Sequence, residues 1–267
     1  MILAIVQARS SSSRLPGKVL KHILKKPMII HEIERIQRSL FIGKVVLATS
    51  NACNDDELSM ICRQYGIEVF RGNLNDVLDR YYQCAKQYQP EHVVRLTGDC
   101  PLIDWKIIDA VIMKHIEENN DYTSNTLEVT YPDGLDVEIM KFSILKNAWE
   151  NAQLPSEREH VTPYIHQKPQ SFRLGCLKNN IDLSKMRWTV DELDDFAAVT
   201  KVYEYLYPSN KVFLMQDIVE LLKRYPEIEK MNNSYQRNEG MNKSLKDDKI
   251  FLEEGKVYGR NIKETFR

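Results

Sequence analysis

The feature that most constrains the fold is a regular alternation of short apolar runs and amphipathic segments in the first half of the chain. Each run is apolar almost throughout, which is typical of a strand buried on both faces of a parallel sheet. The runs occupy residues 2–7, 44–49, 67–70 and 92–97, and the segments that follow them occupy residues 28–40, 55–65, 76–88 and 104–118. We therefore predict an α/β fold with a doubly wound, mostly parallel sheet covered by these segments as helices.

The alternation becomes irregular near residue 119. A turn signal at residues 131–134 precedes residues 135–140, whose polar and apolar side chains alternate and predict an antiparallel strand with one wet face. We expect a small antiparallel insertion at about residues 120–180. Further predicted elements are a helix at residues 156–167, strands at 172–177 and 188–190, and helices that end near residue 206 and at residue 225.

The composition of the chain changes after Glu229. The residues that follow are rich in asparagine and in charged side chains and poor in apolar ones. Such a segment buries little apolar surface, so we expect it to pack as irregular segments or to be partly mobile. We therefore divide the chain into one domain at residues 1–229 and a polar C-terminal extension at residues 230–267.

Composition excludes several classes of function. The 267 residues carry a net charge of -1, which gives no footprint for nucleic acid or a membrane surface. The five cysteines are scattered without a C-x-x-C pair, so zinc and a disulfide framework are disfavoured and a cytoplasmic location is expected. The first apolar run is too short for a signal peptide, and no segment is long enough to span a bilayer.

The loop after the first apolar run predicts a phosphate site. Residues 10–13 are four serines, and Arg9, Arg14 and Lys18 supply three cations around the turn at Pro16-Gly17. Free backbone N–H groups and fixed positive charges of this kind suit a nucleoside triphosphate. The loop matches neither the Walker pattern nor a G-x-G-x-x-G dinucleotide loop, which disfavours ATPase motors and dehydrogenases. A serine-rich linker, the alternative, is disfavoured by the strand directly before it.

Two aspartates are candidate metal ligands. Asp99 follows the fourth apolar run, and Asp191 follows the short predicted strand at residues 188–190. Ligands bind at the carboxyl ends of strands in doubly wound sheets, and Mg²⁺ favours one or two protein carboxylates with phosphate oxygens. Each residue alone could instead cap a helix. Their joint position at strand ends favours the metal site.

Two motifs resemble motifs of the CMP-sugar synthetases, a family that includes the 3-deoxy-manno-octulosonate and acylneuraminate cytidylyltransferases. The first comprises Ala8-Arg9, Ser12 and residues 14–18 (RLPGK), and the second comprises Gly98-Asp99 with residues 101–103 (PLI). Four further segments resemble the branch of the spore coat polysaccharide biosynthesis protein F, so that the resemblance covers nearly the whole chain. They are residues 131–138 (YPDGLDVE), 156–164 (SEREHVTPY), 187–191 (RWTVD) and 237–240 (RNEG).

The resemblance implies a Rossmann-like nucleotidyltransferase domain of the nucleotide-diphospho-sugar transferase type, with CTP as co-substrate and Mg²⁺ as cofactor. It implies that Arg14 and Lys18 face the β- and γ-phosphates and that Asp99 and Asp191 hold the metal, these four being the catalytic candidates. The other candidate CTP-binding residues are Gln7, Ala8, Arg9, Ser10, Ser12, Thr97, Arg71 and Arg80. The match at the last two is loose, and a surface ion pair is an equal alternative for Arg80.

Candidate acceptor residues lie in the insertion. They are Asp133, Asp136, Glu138, Arg158, Glu159 and His160. An arginine can clamp a substrate carboxylate through two hydrogen bonds. The alternatives are a turn aspartate at 133, solvent-facing strand residues at 136 and 138, and a solvated helix start for the other three.

Taken together, these features predict a Mg²⁺-dependent cytidylyltransferase that joins CMP to a small-molecule sugar acid and releases pyrophosphate. The family resemblance also implies a homodimer, with contacts in the insertion. A nucleotidyltransferase for a sugar phosphate, polyol or phosphonate remains an alternative. So does a glycosyltransferase or a non-catalytic nucleotide-binding scaffold, although no D-x-D pair follows a strand and both Lys18 and Asp99 are present.

Overall fold

The structure, a computed structural model, describes residues 1–12, 14–235, 237 and 239–253. We call the loop at residues 9–18 the serine loop. Outside the described ranges lie Ser13 of this loop, Asn238 of the RNEG segment and residues 254–267 of the predicted extension. Within the described ranges, no helix has the length and apolar character needed to cross a membrane.

A seven-stranded sheet forms the centre of the molecule, with the strand order β5-β4-β1-β6-β8-β7-β9. The strands are β1 (Ile2–Gln7), β4 (Lys44–Ser50), β5 (Glu68–Gly72), β6 (His92–Thr97), β7 (Tyr122–Ser124), β8 (Glu138–Lys141) and β9 (Leu174–Cys176), while β2 (His22–Ile23) and β3 (Lys26–Pro27) form a separate antiparallel hairpin. β1, β4, β5 and β6 are parallel, β8 is antiparallel to β6 and β7, and β9 is parallel to β7. The predicted mostly parallel sheet with an antiparallel insertion is thereby confirmed.

Helices cover both faces of the sheet. They are α1 (Met28–Ile36), α2 (Asp56–Gln64), α3 (Val77–Tyr88), α4 (Trp105–Glu117), α5 (Phe142–Asn151), α6 (Pro155–His160), α7 (Pro163–His166), α8 (Leu193–Leu206), α9 (Met215–Arg224), α10 (Pro226–Glu229) and α11 (Glu239–Glu253). In β1, Ala4 and Val6 face α1, α4 and α8, whereas Leu3 and Ile5 face α3 and α5. The continuous apolar character of β1 follows from this burial on two sides, because successive side chains point to opposite faces.

Three predicted elements differ from the structure. Residues 188–190 form no strand. The neighbouring Arg187 pairs with Asp133 in one isolated β-bridge, which does not continue into these residues. The predicted helix at 156–167 is two short helices, because Val161 has a φ of 72° and breaks the helical path before Pro163. The predicted strand with a solvent-exposed face corresponds to β8. It has no such face at Glu138, which is buried because β8 lies between β6 and β7.

The C-terminal extension also differs from the prediction of irregular segments. It contains α11, which packs against α6. Buried Asp248 of α11 accepts hydrogen bonds from the backbone N–H and the hydroxyl of Ser156, at 2.9 and 2.6 Å. A polar composition therefore did not prevent helix formation, because polar contacts with α6 supply part of the packing that apolar burial would otherwise provide.

A buried pair of histidines makes the fold sensitive to acid. The Nε2 atom of His115 in α4 lies 3.1 Å from the Nδ1 atom of His92. The Nδ1 atom of His115 lies 3.1 Å from the hydroxyl oxygen of Thr123. Burial, followed by the positive charge on a protonated His92, lowers the pKa of His115 to about 4. The folded protein therefore binds this proton less readily than the unfolded chain, and stability is lost as the pH falls below the ordinary histidine pKa.

We expect the free energy of unfolding to fall by about 2 kcal/mol through His115 alone between about pH 7 and about pH 5. The His115→Gln variant should lose correspondingly less stability over this interval, because it has no proton to gain. Urea unfolding at the two pH values measures the difference. Replacement of exposed His22 by Gln is the control, and equal pH dependence in all three proteins would contradict the assignment.

Candidate active site

The serine loop lies at the carboxyl edge of the sheet, between the ends of β1 and β4. Its shape is set by backbone hydrogen bonds, in which the N–H groups of Ser12 and Gly17 donate to the carbonyl of Ser10, each at 3.0 Å. Gly17 has a φ of 67°, a left-handed conformation that glycine adopts without strain and that turns the chain into a 3₁₀ turn at Lys18–Leu20. This turn directs the Lys18 side chain back toward the sheet.

Lys18 joins three segments that are distant in the sequence. Its ammonium Nζ lies 2.9 Å from Asp99 Oδ2, 2.9 Å from Asp191 Oδ1 and 2.7 Å from the carbonyl oxygen of Val190. The backbone N–H of Val190 in turn donates to the carbonyl of Asp99 at 2.8 Å. This bond, rather than a strand at residues 188–190, brings the two aspartates together.

The charges at this point stabilise one another. Burial by itself would lower the pKa of Lys18, but the charges of Asp99 and Asp191 outweigh it and raise that pKa. Burial likewise would raise the pKa of Asp99, but the Lys18 charge outweighs it and holds the pKa below its usual value. Both aspartates face an ammonium ion, and Asp99 is held ionised at neutral pH.

A cavity of about 480 Å³ opens beside these groups and contains most of the predicted CTP-binding residues. Its lining includes Gln7, Ala8, Arg9, Ser12, Arg14, Lys18, Thr97, Asp99 and Asp191, together with Ser11, Val19, Gly98 and Glu159. Arg14 binds Asp191 at 2.9 Å and approaches Glu192 at 3.5 Å. Three cations therefore line this cavity, as the sequence predicts for a phosphate site.

Three predicted CTP-binding residues do not line this cavity. Ser10 donates its backbone N–H to Asp55 at 2.7 Å, so its part is to anchor the loop to the end of β4. Arg71 donates to the carbonyls of Ser50 and Ala52 and to Asp56, at 2.8, 2.7 and 2.5 Å. Arg80 is fully buried and donates to the carbonyl of Asn73 at 2.6 Å, so the alternative of a surface ion pair is wrong.

Asp55 is a positioning residue that the sequence analysis did not identify. Its carboxylate accepts hydrogen bonds from the backbone N–H of Ser10 and from the backbone and hydroxyl of Ser50. It thus fixes the beginning of the serine loop to β4. The only sequence signal is its place after a strand in an acidic helix start, where a helix cap is the simpler interpretation.

A second cavity of about 460 Å³ adjoins the first and shares Arg14, Thr97, Asp99 and Asp191 with it. It contains four of the six predicted acceptor residues, namely Asp133, Asp136, Glu138 and His160. It also contains Arg95, Arg187, Arg237, Thr162 and His166, which the sequence analysis did not identify as acceptor residues. Asp99 and Asp191 therefore stand at the junction of two cavities.

The floor of the second cavity is an ion pair across the sheet. Arg95 of β6 and Glu138 of β8 lie opposite each other in the strand register and form a salt bridge. Glu138 also accepts hydrogen bonds from Tyr122 at 2.5 Å and Thr162 at 2.6 Å. Burial would raise the pKa of Glu138, but Arg95 and the two hydroxyls lower it, so the carboxylate is ionised. A solvent-facing position for this residue is excluded.

The side chains of Arg158, Glu159 and His160 on α6, predicted to form one cluster, lie in three different environments. Arg158 forms a salt bridge with Asp76 and donates to the carbonyl of Trp149 at 2.8 Å, so it ties α6 to α3 and lines neither cavity. Glu159 lines the first cavity and His160 the second. Both side chains hydrogen bond to the hydroxyl of Ser244 in α11, at 2.7 and 2.9 Å.

Arg187 connects the two cavities electrostatically. Its guanidinium binds Asp195 at 2.8 Å, Asp133 at 3.2 Å and Asp191 at 3.3 Å. Burial, followed by the charge of Asp136, raises the pKa of Asp133 to about 6 despite this arginine. The carboxylate of Asp133 thus stays ionised at neutral pH but with a narrow margin.

The turn that carries Asp133 requires glycine at position 134. Gly134 has a φ of 102°, and an added Cβ would lie 2.5 Å from the backbone nitrogen of Thr189. We expect Gly134→Ala to destabilise the protein by about 2 kcal/mol or more, because backbone strain and a clash act together. Gly66→Ala is the control, since Gly66 also has a positive φ of 75° but nothing within 4 Å of its added Cβ.

Thermal unfolding of both variants measures this difference. Gly66→Ala should cost about 1 kcal/mol through conformation alone. An equal loss of stability in the two variants would show that the close approach of residue 134 to Thr189 is unimportant.

Comparison with known proteins places this chain in a family. The sequence matches the family described as Cytidylyltransferase over residues 3–250. The spore coat polysaccharide biosynthesis protein SpsF of Bacillus subtilis (strain 168) is 31% identical over 233 residues, which cover 85% of this chain and 95% of the relative. A 3-deoxy-manno-octulosonate cytidylyltransferase of Geobacter sulfurreducens is 35% identical over 187 residues, with 67% and 73% of the two chains covered.

A solved structure agrees with the sequence match. The structure of a cytidylyltransferase from Leptospira borgpetersenii serovar Hardjo-bovis superposes with a TM-score of 0.82 at 34% identity, covering 85% of this chain and 96% of that one. The family match at residues 3–250 includes the residues that line both cavities described above. The chain therefore belongs to the cytidylyltransferase family of CTP-dependent nucleotidyltransferases.

Proposed function

We propose that the protein uses Mg²⁺ to transfer CMP from CTP to a hydroxyl group of a sugar acid, with release of pyrophosphate, in surface polysaccharide or glycan biosynthesis. The observation that carries the proposal is the position of Asp99, Asp191 and Lys18 where a cationic cavity meets an acidic one. The name of one relative, a 3-deoxy-manno-octulosonate cytidylyltransferase, supports the acceptor class, and that of the other, a spore coat polysaccharide biosynthesis protein, supports the biosynthetic role.

The residues present fit a magnesium ion better than a transition metal. Within the described ranges no group of three or more His, Cys, Asp or Glu side chains suits a metal, which disfavours an all-protein cage. Asp99 and Asp191 offer two carboxylates held together by one ammonium ion. Magnesium commonly takes one or two carboxylates and completes its coordination with phosphate and water oxygens, and when bound it would neutralise charge on the reacting phosphate.

The two cavities suit the two substrates. Arg9, Arg14 and Lys18 line the first cavity, which would receive the triphosphate. The second cavity adds the carboxylates of Asp133, Asp136 and Glu138, and its own arginines Arg95, Arg187 and Arg237 are each bonded to a carboxylate, so their charges are already neutralised. Carboxylates such as Asp133 and Asp136 instead accept hydrogen bonds from sugar hydroxyls. This difference favours a polyhydroxylated acceptor over a sugar phosphate.

The reaction would take place at the junction of the cavities. An acceptor hydroxyl oxygen forms a bond to the α-phosphorus of CTP while the bond from that phosphorus to the bridging oxygen breaks. Arg14 and Lys18 stabilise the negative charge on the departing pyrophosphate. The hydroxyl proton passes to a carboxylate at the junction or to water. No serine nucleophile is needed, so Ser10, Ser11 and Ser12 are assigned to the phosphate loop and not to catalysis.

The proposal also includes a homodimer and a cytoplasmic location. All five cysteines are free thiols, as a reducing compartment would keep them. The dimer rests on the family resemblance of the insertion.

Removal of either metal carboxylate should abolish activity. We expect Asp99→Asn and Asp191→Asn to lower pyrophosphate release from CTP by about 100-fold or more, because each removes a ligand charge at the reacting phosphate. Asp194→Asn, which changes an exposed aspartate three residues from Asp191, should retain full activity. Full activity in either of the first two variants would refute the metal assignment.

A pyrophosphate-release screen tests the substrates. CTP, ATP, GTP and UTP are each combined with Mg²⁺ and with 3-deoxy-manno-octulosonic acid, N-acetylneuraminic acid, a sugar phosphate, a polyol and a phosphonate. We expect release that depends on CTP, on Mg²⁺ and on a sugar acid, and that stops when EDTA is added. Release with the sugar phosphate, the polyol or the phosphonate alone would replace the proposed acceptor class, and none with any pair would refute catalysis.

A further inference from the structure

The polar segment after α10 contributes to the second cavity, which is unexpected for an extension beyond the core domain. Arg237 lies between α10 and α11, and its side chain is only 16% exposed. It forms a salt bridge with Asp136, approaches Asp133 at 3.7 Å and donates to the carbonyl of Tyr131 at 3.1 Å. Met241 of α11 also lines the cavity.

The same segment is fixed to the core on two sides of the cavity. On one side, the Asn232 side chain donates to the carbonyl of Arg187 at 3.0 Å and to Asp195 at 2.8 Å, and it is buried. On the other side, Ser244 and Asp248 bind residues of α6, including His160, which lines the cavity. We use the name C-terminal strap for the five residues of this segment that make these contacts, namely Asn232, Arg237, Met241, Ser244 and Asp248.

Arg237 resolves an electrostatic conflict in the cavity wall. Burial, followed by the charge of Asp136, raises the pKa of Asp133, and burial, with the charges of Glu138 and Asp99, raises the pKa of Asp136. Arg187 contacts Asp133 at 3.2 Å, while the arginine bonded to Asp136 is Arg237. Without Arg237, the half-buried carboxylate of Asp136 would lose the arginine that is bonded to it and would still face the charges of Glu138 and Asp99, which is unfavourable.

We propose that the C-terminal strap completes the acceptor cavity and that Arg237 is a positioning residue, holding Asp133 and Asp136 in place to accept hydrogen bonds from acceptor hydroxyl groups. This inference rests on the proposed function, because it assigns the second cavity to the acceptor. It gives the extension a part in substrate selection. Arg237 acts on the acceptor side and leaves the triphosphate cavity, which it does not line, unchanged.

Kinetics of pyrophosphate release test the role of Arg237, with CTP and the best acceptor of the screen. We expect Arg237→Gln to raise the KM for the acceptor about tenfold while the KM for CTP stays within about twofold. Arg237→Lys should restore part of the affinity, because it keeps the charge but not the two-pronged geometry. Arg224→Gln, at an exposed arginine at the end of α9, is the control and should match the wild type.

A double variant provides a second criterion. Asp136→Asn removes the charge that Arg237 neutralises, so the Arg237→Gln, Asp136→Asn protein should be no worse than the poorer single variant. Additive losses, or equal losses in the KM values for acceptor and CTP, would overturn the positioning role. These results are distinguishable from failure of the proposed function, which would show as no pyrophosphate release by the wild type.

Closure of the cavity by the strap is testable without any acceptor. Cys100 lines the second cavity and is almost fully buried, so its alkylation by N-ethylmaleimide reports access to that cavity. We expect Arg237→Gln to increase the rate at Cys100 about threefold or more, and the rate at Cys62 in the core to stay unchanged. An unchanged rate at Cys100, by peptide mass spectrometry, would overturn the proposal that the strap closes the cavity.

Discussion

The ammonium group of Lys18 is the interaction on which the rest of the site depends. It draws together the serine loop, the end of β6 and the segment before α8, which are separated by 81 and 173 positions in the sequence. Two buried or half-buried carboxylates would repel each other without it. The bonds it makes are charge-assisted and surrounded by protein, so they position the aspartates more rigidly than a surface ion pair could.

The ion pairs continue from Lys18 across both cavities. Lys18 neutralises Asp191, Arg187 joins Asp191 to Asp133, and Arg237 reaches Asp133 and Asp136. The alternating charges link the phosphate loop at the beginning of the chain to the strap near its end. In such a chain of partly buried charges, loss of one member removes a partner from each of its neighbours, so the penalty extends beyond the residue removed. The site is therefore an electrostatic unit built from distant segments.

Local sequence patterns predicted what depends on neighbours in the chain. The four parallel strands and the loop at residues 9–18 follow from continuous apolar runs and turn residues, and the structure contains both. The sequence predicts Asp191 at a strand end. It does lie beside Asp99, but Lys18 and the hydrogen bond from Val190 to the Asp99 carbonyl hold it there, and not a strand. Arg95 carries no signal in the sequence. Arg187 and Arg237 lie in segments that resemble the family, but their roles could not be assigned because their partners are set by tertiary packing and not by spacing.

The balance of charge in the second cavity indicates what this architecture is suited to bind. Five carboxylates face four guanidinium groups there, and burial lowers the pKa of both lining histidines, which therefore add little positive charge at neutral pH. The two carboxylates at the junction with the first cavity are bonded to Lys18, for which a triphosphate would compete. Entry of a triphosphate would thus leave negative charge uncompensated at the junction unless a cation came with it. A divalent cation carried by the nucleotide would meet that requirement, and under the proposed function the strap would leave hydroxyl-accepting groups for the acceptor on the other side.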